Sequence, residues 1–236
     1  MQINIRSDLK SFKKQLTKVH RKQIPFAFFR ALNDTARDAM LDTRQLMRDS
    51  FKKPIKKYLV SGILYEKAKL NKKDINKMIA RVDLEDFSNK GQPRRDIMKP
   101  HIEGGDRRQK KSERLLLGPG RYLYPSRSTA RDDYGNIKAA RIVKAISDIG
   151  KNFDPAQNTK SKRKKKKYFA INTRRQRTII MERNGKNVTP FMVEGAKPSY
   201  KKRFDFYGGV QRSADKNFNK HMGKALAYVI KNPKKR

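Results

Sequence analysis

Residues 25–50, PFAFFRALNDTARDAMLDTRQLMRDS, form the longest clean amphipathic segment of the chain. Phe29, Leu32, Ala36, Ala39, Thr43 and Leu46 follow one another at steps of three or four, which places them on one face of an α-helix. Phe28, Met40 and Met47 widen the stripe, and Asn33, Asp34, Arg37, Asp38, Asp42, Arg44 and Arg48 mostly cover the other side. Pro25 suits a first helical turn, where its missing N–H costs no bond. A long helix with one apolar face must be covered along that face, so the remaining elements have to be arranged around it. The stripe is wide enough to predict two neighbours, with Phe28 or Met47 meeting another subunit.

The flanking elements are shorter. Ile3 and Ile5 alternate in a possible strand over residues 1–6, and Ser7 has the character of an N-cap. Leu9, Phe12, Leu16 and Val19 then repeat at helical spacing to about residue 22, with an elbow expected at Gln23, Ile24 and Pro25. Pro54 is expected to open a short helix through Leu59 that Gly62 breaks. Residues 63–69 and 78–84 alternate as strands, joined by a polar connection or one helical turn at 71–77. Between 88 and 128 periodicity fails and Gly, Pro and Arg accumulate. This stretch reads as an irregular arm or insertion, with a short helix at 108–116 inside it. Residues 137–149 return to helical spacing through Ile142, Ala145, Ile146 and Ile149, closed by Gly150. Three strands follow at 168–172, 178–183 and 188–193, the last two joined by the hairpin signal Asn184-Gly185. A closing helix over 210–230 carries Ala214, Phe218, Met222 (or His221), Ala225 and Val229 on its apolar face, before Pro233 and a basic tail. The order predicts a single α+β domain over 1–236: a mostly antiparallel sheet packed by long amphipathic helices, with an extended irregular arm at 88–128 and a basic loop at 155–167.

Charge narrows the partners. Lys and Arg number 61 against 22 Asp and Glu, a formal net charge of +39 over 236 residues. Such a chain repels itself, so a partner supplying negative charge is expected: nucleic acid, an acidic protein surface or a large assembly. With 36% apolar residues the core is thin for the length. The absence of cysteine excludes disulfides and thiolate chemistry. No apolar run reaches a membrane span, and the first residues lack a secretory leader, so a cytosolic site of synthesis and no membrane partner are expected.

Two segments carry candidate contacts. Lys160, Lys162, Arg163, Lys164, Lys165, Lys166 and Lys167 form a basic run that adjoins Tyr168, Phe169, Arg174, Arg175 and Arg177. The cations suit phosphates or an acidic partner and the aromatics suit a base, although a solvated loop tip would have the same composition. In the arm, Arg107, Arg108, Lys110 and Lys111 accompany Leu116, Tyr122 and Tyr124, which reads either as an interface ordered on assembly or as a local satellite core. Catalytic and cofactor signals are weak. His20, His101 and His221 are scattered, so no metal is expected. Asp83, Glu85 and Asp86 would suit either a nuclease cation or a solvated strand end. None of the six glutamates has Lys two residues later, and there is no Gly-Lys-Ser/Thr or Gly-x-Ser-x-Gly.

The layout resembles the minor tail protein Z family of tailed bacteriophages, which are tail-completion or neck proteins. The resemblance lies in residues 25–39 (PFAFFRALNDTARDA), 54–60 (PIKKYLV) and 218–231 (FNKHMGKALAYVIK), and residues 101–113 look like segments of phage virion proteins. It implies a structural, non-enzymatic virion protein without cofactor at the head–tail junction, assembled in the host cytoplasm. It also implies a homo-oligomeric ring and contacts to a connector, tail tube or tail terminator, with packaged double-stranded DNA as a further possible partner. The alternative is a nucleic-acid-binding structural module of ribosomal or nucleoid type.

Overall fold

The computed structural model describes residues 18–54, 56–87, 92–160, 162 and 166–232. The expected strand at 1–6, most of the first helix, residues Arg163, Lys164 and Lys165, Pro233 and the basic tail lie outside the described residues. The fold is α+β with antiparallel sheets. The chain divides into two compact units, one formed by residues 1–95 and 203–236 and the other by 96–202.

The first unit is built on α1 (Lys18–Ser50) and the closing helix of the chain, α5 (Phe206–Lys231). The two run antiparallel: Leu46 lies against Gly209, Asp42 accepts a hydrogen bond from Ser213 Oγ at 2.6 Å, and Asp38 meets His221 Nε2 at 2.7 Å. A Cβ on Gly209 would come within 2.6 Å of Leu46, so the helices approach closely there because glycine has no side chain. Ala27, Ala31, Leu32, Ala36, Ala39 and Met40 of α1 are buried, as are Val210, Ala214, Phe218, Met222, Ala225 and Val229 of α5. The rings of Phe28 and Phe218 meet edge-on, 5.8 Å apart. On the same unit, β1 (Ile63–Glu66) pairs with β2 (Arg81–Leu84), and Arg44 of α1 donates from Nε and Nη2 to the Ile63 carbonyl at 3.0 and 2.8 Å.

Three expectations change here. Phe28 (5% exposed) and Met47 (0%) are both buried within this unit, so the broad stripe is consumed internally and gives no argument for a second subunit. The expected break at Gln23, Ile24 and Pro25 is absent: α1 is helical on both sides of the proline. An internal proline costs about 3 kcal/mol, and burial of Ile24, Ala27 and Phe28 around it offsets that. The short helix after Pro54 is a π-helical turn, Lys56–Val60.

The second unit is organised by a four-stranded antiparallel sheet. Its strands are β4 (Tyr122–Pro125), β5 (Tyr168–Asn172), β6 (Thr178–Asn184) and β7 (Asn187–Gly195), in the order β4-β7-β6-β5. The hairpin between β6 and β7 forms as expected, but its two-residue loop is Gly185 and Lys186, one position later than the Asn184-Gly185 signal: Asn184 pairs with Asn187 at the strand ends, and Gly185 supplies the positive φ, 61°. α3 (Lys111–Leu117) and α4 (Ala139–Ile149) lie against the sheet, and Gly150 ends α4 in the left-handed conformation. Leu116, Leu117, Leu123, Ala145, Ile146, Tyr168, Ile180, Phe191 and Met192 form the core between them. A two-stranded ladder, β3 (Gly105–Asp106) with β8 (Ser199–Tyr200), completes the unit.

The stretch 88–128 therefore carries β3, α3, β4 and a further helix, α2 (Arg94–Ile102). These elements are short and α2 contains Pro100, so neither a 3.6-residue nor a two-residue period has room to show. As expected, antiparallel strands pack on helices: α1 packs on α5 and on the β1–β2 pair, while the shorter α3 and α4 cover the four-stranded sheet.

Phe218 is the largest side chain that α5 contributes to the interior beyond its first turn. Phe218→Ala is expected to lower stability by about 3–5 kcal/mol, read as a shift in the urea midpoint.

Candidate interface for an anionic partner

Residues 96–202 contain 28 Lys and Arg and only 10 Asp and Glu. Where those carboxylates go decides which cations remain outward. β6 alternates Thr178, Ile180 and Glu182 toward the covered face with Ile179, Met181 and Arg183 toward the other. Glu182 is therefore held beneath α4, where it accepts from Arg141 Nη2 at 2.6 Å, from Tyr168 Oη at 3.0 Å and pairs with Lys167 Nζ at 3.1 Å. Burial alone would push its carboxyl up. The hydrogen bonds from Lys167 and Tyr168 and the charge of Arg141 outweigh burial and hold it below its ordinary 4.5. Asp148, fully enclosed at the end of α4, accepts from Thr159 Oγ1 at 2.6 Å and from Tyr168 N at 3.1 Å, and pairs with Lys144 at 2.9 Å. It too is held low against the upward push of burial.

These two carboxylates anchor the start of β5, and with it the basic run. Lys160 and Lys162 are exposed and Lys166 is half-buried, while Lys167 is spent on Glu182. Tyr168 is 1% exposed and packs on Phe191 at 4.7 Å, so it cannot stack on a base. Phe169 is covered by the guanidinium of Arg183 at 4.9 Å. The run is thus a charged surface without a free stacking platform.

Arg174, Arg175 and Arg177 stand at the other end of β5, about one five-residue strand or 17 Å away. The structure separates what the sequence joins. They occupy a tight turn between β5 and β6, in which Thr173 N donates to the Arg177 carbonyl at 2.8 Å and Gln176 N to the Thr173 carbonyl at 2.9 Å. Gln176 has φ 56°, where glycine is usual in a three-residue hairpin loop. All three arginines are exposed, and none pairs with a carboxylate among the described residues. The base of the turn is braced. Arg121 Nη2 donates to Thr178 Oγ1 at 3.0 Å, Thr178 Oγ1 donates to Asn172 Oδ1 at 3.1 Å, and Thr178 N donates to Glu194 Oε2 at 2.8 Å. The expected strands at 168–172 and 178–183 bracket this turn, but residues 173–177 contain no Gly, Asn or Asp to mark its geometry.

The arm residues divide by environment. Glu113 is 1% exposed and receives both terminal nitrogens of Arg107, at 2.8 and 2.5 Å, with Lys110 N at 2.8 Å and Leu123 N at 3.1 Å. Burial pushes its carboxyl up, but these four donors outweigh it and hold it low. Leu116 and Tyr122 are core residues, and Arg107 lies over the Tyr122 ring. The satellite-core reading therefore holds for them, and they present no surface. Tyr124 is 38% exposed, with its hydroxyl donating to the Ala196 carbonyl at 2.8 Å. Lys110, Lys111 and Arg108 are exposed, the last paired with Asp96 at 2.8 Å.

In the first unit, Asp83 and Asp86 are taken up by Arg95 at 2.6 and 2.9 Å, and Glu85 by Arg94. Among the described residues no three His, Cys, Asp or Glu side chains gather as a metal site would need. No described helix is long and apolar enough to cross a membrane. No protein family, curated protein or solved structure matches this chain.

Glu113→Ala leaves Arg107 (15% exposed side chain) uncompensated and two backbone donors without an acceptor. A loss of about 3–5 kcal/mol is expected in urea titrations, and a smaller one for Glu113→Gln, which keeps an acceptor oxygen. Acid should act through the same groups. Glu113, Asp148, Glu182 and Glu194 all have folded values below their unfolded ones. Their stabilisation is complete above the unfolded values and disappears as pH falls through the folded ones. The sheet's melting temperature should be flat down to about pH 5 and fall steeply below about pH 4, and Glu182→Gln should shallow that fall.

Proposed function

We propose that this chain is a structural component of a phage virion, placed at the head–tail junction or tail end. It completes the particle there as a subunit of a ring, by shape and charge complementarity and without catalysis. One observation carries the reading. Seven of the ten carboxylates between residues 96 and 202 are already in ion pairs, so the excess of cations in that unit has no counter-charge inside it. A negatively charged neighbour such as a connector, tail tube, tail terminator or packaged duplex would supply it. The virion placement rests on the resemblance through residues 25–39, 54–60 and 218–231. The first and last of these belong to the helix pair joined by Phe28 and Phe218. Asp83, Glu85 and Asp86 serve as counter-ions to Arg94 and Arg95, which supports a structural rather than a metal-dependent nuclease role.

A second reading, a nucleic-acid-binding module of ribosomal or nucleoid type, is favoured by the three exposed arginines at the β5–β6 turn. Light scattering on the purified chain at moderate and high salt separates the two. A closed ring of defined mass, incorporated into tail-end particles, is the expected result. A monomer at every salt concentration that binds nucleic acid with a steep salt slope supports the module instead.

A further inference from the structure

The β5–β6 turn is an unusual place to put three arginines. Arg174, Arg175 and Arg177 fall within four consecutive positions and repel one another. The loop that carries them closes through Gln176 in the left-handed region, at a cost of order 1 kcal/mol that a glycine would avoid. Elsewhere in the unit arginine is used for its fork: Arg107, Arg121 and Arg141 each grip a carboxylate with more than one donor or within a network. The turn arginines have the same donors and meet no carboxylate among the described residues. Their base is fixed from Arg121 through Thr178 to Asn172, so the turn is presented on a rigid support.

We propose that this turn is a phosphate-gripping tip for double-stranded DNA, with Arg174, Arg175 and Arg177 contacting the backbone along the minor groove. Four arguments point to a duplex. The planar guanidinium fork matches phosphate oxygens two at a time, which a lysine does not. Residues 172–177 are Asn, Thr, Arg, Arg, Gln and Arg, with no aromatic or aliphatic anchor of the kind that protein interfaces centre on. A tip of this size is far below the roughly 800 Å² per partner of a stable protein interface. The same side chains suit the narrow groove of a duplex, whose negative potential attracts inserted arginines. The basic run at the other end of β5 is a separate, purely electrostatic contact, since Tyr168 is buried and Phe169 is capped by Arg183. The proposal rests on the surplus charge facing a polyanion and not on placement in a virion.

The test is fluorescence anisotropy with the full chain and a labelled DNA duplex, titrated over salt. Four proteins are compared: the parent chain, R174K/R175K/R177K, R174A/R175A/R177A and K160A/K162A/K166A. Melting curves check that each is folded; the three arginines, Lys160 and Lys162 are exposed and Lys166 is half-buried. The lysine variant keeps the charge and should still lose about tenfold in affinity, because the fork is gone. The alanine variant of the tip should lose more, and should reduce the salt slope by about one per phosphate contact removed. The charge-matched change in the lysine run should cost at least several-fold less. If the tip lysine variant binds like the parent, or the two alanine triples are equivalent, plain charge suffices and the tip is not a site. Equal losses on polyglutamate would overturn the duplex assignment. A parent chain that forms rings yet binds no duplex would overturn the tip while leaving the structural role standing.

Discussion

Glu182 lies on the covered face of the four-stranded sheet, 6% exposed, and answers Arg141, Lys167 and Tyr168 together. Its position shows the constraint under which this chain folds. With 61 cations and 22 anions, carboxylates are scarce, and several of them neutralise more than one neighbour or fix more than one element. Glu182 ties β6 to α4 and to the start of β5. Glu113 ties the approach to α3 to β4, and Glu194 ties β7 to Arg121 and the base of the arginine turn. Buried ion pairs are costly when one partner is missing, so these few acids govern whether the sheet and its helices stay together.

The consequence for the surface follows directly. With Glu113, Asp148, Glu182 and Glu194 committed to pairs within the unit, the exposed Arg174, Arg175 and Arg177 meet no carboxylate among the described residues. The two basic groups on β5 differ in kind. Before Tyr168, Lys160 and Lys162 are exposed, compact ammonium charges. The turn after Asn172 is a set of guanidiniums on a braced loop. A polyanion meeting this face would feel the first as general attraction and the second as geometry.

The helix pair of the first unit is governed by a different force. Apolar side chains recur on α1 and α5 at steps of three and four, small residues occupy alternate turns, and Gly209 lets the helices approach. Asp38 and Asp42, although acidic, are drawn to this contact by His221 and Ser213. The pair needs no partner to cover Phe28 or Met47, which are both buried against the chain itself.

Local pattern was enough to read α1, α4, α5, the β1 and β2 pair and the β5-β6-β7 meander, because each has a period several residues long or a turn dipeptide with one geometry. The same reading recognised the excess charge and the cations that carry it. It missed α2, β3 and β4, which are too short for a period to appear, and it did not mark the geometry of the arginine turn, which uses Gln176 where glycine is usual. It also joined the lysine run and the turn arginines because they are neighbours in the chain, whereas a strand holds them a strand-length apart. Nor does sequence say which aromatic is free: Tyr168 and Phe169 are adjacent, yet one faces the core and the other lies under Arg183. The longer elements and the sign of the charge were legible in the sequence, since both depend on residues close together in the chain. Which carboxylates are spent inside, and which cations are left to meet a partner, became visible only in the folded chain, because pairings such as Arg141 with Glu182 and Arg121 with Glu194 join residues 41 and 73 positions apart.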